Sequence, residues 1–124
     1  MNTFLWILAV ALAAVFVASG AMKLLAPREQ QIEKTPYAED FPHSVIRGIG
    51  ALEILGAFGL VVPALTGIAT ILVPLAAAGL AITMVFAALV HARRGDPFRA
   101  MLPSMLLALG SVVVAWSRFG PYPL

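Results

Sequence analysis

Residues Arg47 to Pro63 read RGIGALEILGAFGLVVP, and the reading of this stretch decides the fold. Its apolar length approaches the roughly 17–25 residues a helix needs to cross a bilayer. It carries one carboxylate, Glu53, among Gly50, Gly56 and Gly59. A carboxylate two turns inside a span cannot reach the interface as a lysine can, so it requires a partner inside the protein. The glycines supply room for one, because small residues let neighbouring helix backbones approach closely in a membrane.

Working outward, three further apolar segments flank this one. The four segments cover about residues 4–25, 45–62, 67–91 and 101–118. None alternates as a strand does, and only helices and closed barrels span lipid. The expected fold is all-α: a single domain over residues 1–124, built as a bundle of four transmembrane helices. Composition agrees. The chain is 61% hydrophobic and 11% charged, whereas a soluble domain has about 25% charged residues. Lipid must therefore cover much of the surface. The net charge of +2, without a basic stripe, points away from nucleic acid. There is no cysteine, which removes disulfides and thiolate metal or iron–sulfur sites. A cleaved leader is disfavoured, since no Lys or Arg precedes Lys23 in the first segment.

The connections differ. Pro63 to Thr66 reads as a tight turn that closes the second helix, and Pro74 is expected to bend the third. Arg93 to Ala100 is a short polar loop. Ala26 to Ser44 is longer and charged. Arg28 to Lys34 is expected to form an interfacial helical turn there, ended by Thr35-Pro36-Tyr37 and Phe41-Pro42. Seven of the eight Lys and Arg residues lie on the side of these two longer loops, and only Arg118 lies on the other. The excess of basic residues marks the cytoplasmic side, so both termini are expected to face away from the cytoplasm. Trp6 and Trp116 near that outer face fit an aromatic belt.

Lys23, Arg47, Glu53 and His91 fall within or at the edges of the spans, all in the same half of the membrane. Intramembrane ionisable groups are candidate functional sites by default. Glu53 is expected to point towards Lys23, with Arg47 or His91 close by. Ser19 shares a face with Lys23 at i, i+4, and Gly20 opens the same face of the first helix. Gly20, Gly50, Gly56 and Gly59 are the expected helix-packing positions. No oxyanion hole or third catalytic group accompanies Ser19 and Lys23, so no catalytic residue is assigned. Only His43 and His91 offer imidazole, and His43 lies outside the second span, so neither a metal nor a haem is expected.

Three motifs resemble the DoxX-like membrane proteins: Phe16 to Leu24, FVASGAMKL; Arg47 to Pro63; and Ala87 to Asp96, AALVHARRGD. They occur in order on three of the four helices, and Ser19, Lys23, Arg47, Glu53 and His91 are the residues that match them. The resemblance implies a small four-helix bundle in an accessory membrane role. Relatives include a quinol-oxidase or thiosulfate:quinone oxidoreductase subunit, a scaffold for an oxidative-stress assembly, and a receptor-assembly chaperone. The chain itself has no obvious redox ligand. Three functions follow as expectations. The first is a non-catalytic accessory or scaffold subunit that meets membrane or peripheral redox proteins, alone or as a homo- or hetero-oligomer. The second is a small-molecule or quinone site that uses the polar cluster for proton coupling, with lipid as another occupant. The third is a subunit of a redox enzyme whose cofactors lie on another chain. The expected location is a bacterial plasma membrane.

Overall fold

The computed structural model describes residues 1–34 and 41–124. The breaker residues Thr35, Pro36 and Tyr37 lie outside the described residues. The remaining chain forms five helices: α1 (Asn2–Leu25), α2 (Arg28–Lys34), α3 (His43–Thr66), α4 (Leu72–Arg94) and α5 (Phe98–Phe119). All but α2 are long and apolar enough to cross a membrane. At 1.5 Å per residue, the 24 residues of α1 reach about 36 Å, enough for a hydrocarbon core of about 30 Å.

These helices have no polar face because they do not face water. No more than 33% of the most apolar window of any span is buried inside the protein. The exposed remainder is dominated by Ile, Leu, Val and Phe, such as Ile7, Leu55, Ile82 and Leu106. In water these residues would drive aggregation; in a bilayer they are the solvated surface.

The four spans form a ring in which α1 packs closely on α3 and α4 on α5, while the α3–α4 and α5–α1 contacts are sparser. The core is made by Leu12 and Phe16 of α1, Ala57 and Leu60 of α3, Val73 and Ala77 of α4, and Val114 of α5. The short α2 is pinned at one end of the ring. Its Ile32 packs with Phe41 and Val90 against the buried Ile46, and Arg28 Nη1 donates to the Phe41 carbonyl at 2.9 Å.

The prolines do not act as the sequence alone predicts. Pro63 does not close α3 but lies inside it. It lacks only its own N–H, and the helix runs one more turn to Gly67, whose φ of 70° forms a left-handed C-cap with its N–H on the Pro63 carbonyl. The turn between spans is therefore residues 67–71, not Pro63 to Thr66, and α4 starts at Leu72 rather than Gly67. Pro74 falls in the first turn of α4, where a missing N–H costs nothing and no bend is required. The fourth span likewise extends past its expected limits, from Phe98 to Phe119, with Pro103 inside it.

Candidate functional site

Glu53 is the eleventh of the 24 residues of α3, about 15 Å from its start and near the middle of the helix. Its side chain is fully buried, at 0% exposure. Lys23, two residues before the end of α1, crosses to it, with Nζ 2.9 Å from Glu53 Oε1. The same Nζ donates to Ser19 Oγ, one turn back on α1, at 2.7 Å. Ser19, Lys23 and Glu53 thus form one polar unit that ties α1 to α3.

The glycines make this geometry attainable. A Cβ on Gly20 would lie 2.6 Å from the Gly50 carbonyl oxygen and 2.7 Å from Ile54 Cγ1. A Cβ on Gly50 would lie 2.7 Å from both the Gly20 carbonyl oxygen and Lys23 Cβ. The two backbones touch where these glycines meet, and no larger side chain fits without separating the helices. Gly56 and Gly59 do the same for α3 against α4, where they meet Leu80 and the Ala76 Cβ.

The sequence predicts a wider cluster than the structure assembles. Arg47 is exposed and takes no part in the Lys23–Glu53 pair. It lies six residues before Glu53, which at 100° per residue puts it about 120° away around the helix. His91 is also separate. Its Nδ1 lies 2.8 Å from Asp96 Oδ2, just beyond the C-terminus of α4, with Arg94 Nε 3.8 Å from the same oxygen. Gly95, at φ 75°, makes the turn that brings Asp96 back to the helix end.

Two polar features escape the sequence reading. One is Arg118, which is buried inside the bundle at the end where the termini meet rather than standing at the lipid interface. The other is the second oxygen of Glu53. Oε2 is buried and has no hydrogen-bond partner among the described residues. Glu53 lines a cavity of about 350 Å³ between α3 and α4, with Met84 beside it at the base. The rim is Val45, Leu52, Ile82 and Phe86, all exposed on the lipid-facing surface. The cavity therefore opens sideways, towards hydrocarbon. Apart from the carboxylate its walls are almost wholly apolar.

Four apolar spans arranged around one buried acid–amine pair define a small polytopic membrane protein with a polar centre in its bundle. The chain belongs to the DoxX-like family, which matches residues 7–114 and so extends past the three motifs into α5. No curated protein and no solved structure matches the chain.

Proposed function

We propose that this DoxX-like protein binds a lipid-soluble small molecule of the quinone type in the cavity between α3 and α4. The observation that carries the reading is Glu53, which lines an apolar cavity open to the bilayer and whose buried Oε2 has no partner among the described residues. Buried polar atoms in folded proteins nearly always have partners, and an exception calls for an explanation. A ligand polar group supplies one. An ionised carboxylate accepts a hydrogen bond from a hydroxyl, and a protonated one donates to a carbonyl. A quinol offers the hydroxyl and a quinone the carbonyl, so Glu53 suits either redox form as a hydrogen-bond partner. Lys23 holds the other oxygen and fixes the carboxylate's direction.

The test uses a short-tailed quinone and purified protein in an uncharged detergent. Wild type is expected to bind it saturably, and Glu53→Gln to weaken binding. Ala87→Trp, which fills the cavity from its wall, is expected to abolish binding while leaving the melting temperature unchanged. Binding that survives Ala87→Trp in a folded protein refutes the site.

A second reading, a non-catalytic accessory subunit of a membrane complex, is favoured by Gly79. A Cβ there meets nothing within 4 Å. This small residue serves no packing role in its own bundle, yet it lines a shallow apolar groove along α3 and α4, where a helix of another chain would fit. Purification in mild detergent followed by identification of co-purifying chains tests it. For orientation, the seven-to-one bias of basic residues supports both termini on the non-cytoplasmic face.

A further inference from the structure

The Glu53 cavity does not end at the carboxylate. Leu52 and Thr83 line it, and the same two residues line the groove of about 460 Å³ along α3 and α4. The two spaces therefore meet. From Thr83 the groove follows α4 back to Leu72, a run of about 16 Å at 1.5 Å per residue. Its floor is closed where the helices touch. A Cβ on Gly59 would lie 2.8 Å from Ala76 Cβ, and one on Gly56 would lie 2.7 Å from Leu80 Cδ2. Its rim, which includes Leu55 and Leu75, is exposed and so faces lipid. Between floor and rim Gly79 leaves a lane, since a Cβ there would meet nothing within 4 Å.

The chemistry of this lane differs from that of the Glu53 cavity. Among the described residues that line it, Thr83 has the one polar side chain, and its hydroxyl donates to the Gly79 carbonyl at 2.9 Å. That proton is committed to the helix backbone, so the groove suits an apolar chain better than a second polar group. The opposite end of the Glu53 cavity is unlike it. There Phe41, Phe86 and Val90 are shared with a space lined by Arg93 and Arg94. A tail laid along that end would strip water from charged groups, which is costly.

We infer that the groove holds the linear apolar tail of the ligand whose polar ring meets Glu53, with the tail running from Thr83 towards Leu72. The inference rests on the reading of Glu53 as a ligand site. It narrows the ligand class from any lipid-soluble ring to a ring that carries one long chain. Lipid is as apolar as the groove, so shape and van der Waals contact hold the chain, not exclusion of water. Gly79 becomes a specificity-determining residue: its missing side chain is the space the tail occupies.

The experiment titrates one quinone ring, carrying either a methyl or a decyl chain, into purified full-length protein in an uncharged detergent. Gly79→Leu fills the lane from a position outside the Glu53 cavity, and the open space around it preserves the fold. Wild type and variant share the same micelles, so each ligand's partitioning cancels in the ratio of affinities. The methyl ligand is expected to bind both proteins alike. The decyl ligand is expected to bind Gly79→Leu at least about threefold more weakly, a modest factor because only packing is lost. A second arm photolabels wild type with the decyl ligand bearing a diazirine at its chain end. Label is expected on the groove walls, at Leu55 and Gly59 of α3 or from Leu72 to Gly79 of α4. If Gly79→Leu weakens both ligands equally or neither, or if the label falls on α1, α5 or a co-purifying chain, the inference is overturned, while binding of the methyl ligand keeps the Glu53 reading. If neither ligand binds wild type, the Glu53 reading fails and the tail groove fails with it.

Discussion

Lys23→Met and Glu53→Gln break the same ion pair from opposite sides, and the structure predicts unequal costs. Lys23 sits at the end of α1 and is 14% exposed. If Glu53 becomes glutamine, the ammonium keeps Ser19, can still donate to the amide oxygen, and can swing to the interface. That substitution should cost about 1 kcal/mol, the difference between a charged and a neutral hydrogen bond. Lys23→Met leaves Glu53 in place, 0% exposed, near the middle of a spanning helix and with neither oxygen bonded to an amine. Interhelical polar contacts in membranes average only about 0.6 kcal/mol, but removal of one partner of a fully buried pair costs about 3–5 kcal/mol. Glu53 belongs near the upper figure because it has no route to water. Lys23→Met combined with Glu53→Leu removes both charges and should recover at least about 2 kcal/mol relative to Lys23→Met alone, since apolar replacement of a buried pair is often neutral. Reversible unfolding in mixed detergent micelles, followed by helical circular dichroism, measures all four proteins. If Glu53→Gln costs as much as Lys23→Met, or the double variant is the least stable, the reasoning is wrong.

Further outcomes follow from the same geometry. Gly50→Ala should lower stability by about 1–3 kcal/mol, the usual cost of overpacking, because its Cβ meets the Gly20 backbone oxygen at 2.7 Å; Gly79→Ala, with open space around it, should stay within about 0.5 kcal/mol, and equal losses in the same unfolding assay would contradict the close approach of α1 and α3. Ala69, a non-glycine residue at φ 52°, should accept Ala69→Gly with a gain of up to about 1 kcal/mol, read as a higher melting temperature. A single cysteine placed at Gln30 should resist an impermeant maleimide in intact cells, and one placed at Tyr122 should react; the reverse pattern inverts the orientation. The natural chain has no cysteine to confuse this labelling.

The number of spans is legible in the sequence because lipid imposes a simple demand: long apolar runs with no polar stripe. The ends of those runs are less legible. Pro63 reads as a stop because a proline disrupts a helix in water, but here α3 runs past it to a glycine cap. The pairing of Lys23 with Glu53 follows from depth alone, since two opposite charges at one level of a bundle have few other partners. Depth does not fix direction, however. Arg47 shares the helix of Glu53 but points elsewhere, and His91 finds Asp96 five residues on, a local partner that a long-range argument overlooks. Arg118 is the clearest miss. Counted as a lone basic residue at the interface, it gives no sign of being buried, because burial at that end depends on Asn2, 116 residues away in the chain.

The contact between Gly20 and Gly50 reaches beyond packing. The α1–α3 boundary is closely packed, the α3–α4 boundary is one of the two looser seams of the ring, and the cavity lies along that seam. A molecule that reaches Glu53 need never pass through bulk water: it diffuses within the membrane and slips between two helices. Its effective concentration is set by how strongly it partitions into lipid. On the proposed binding role, assays that vary only the aqueous dose would misjudge affinity by the partition coefficient, and a hydrophilic analogue with the same headgroup would look inactive although the carboxylate is intact.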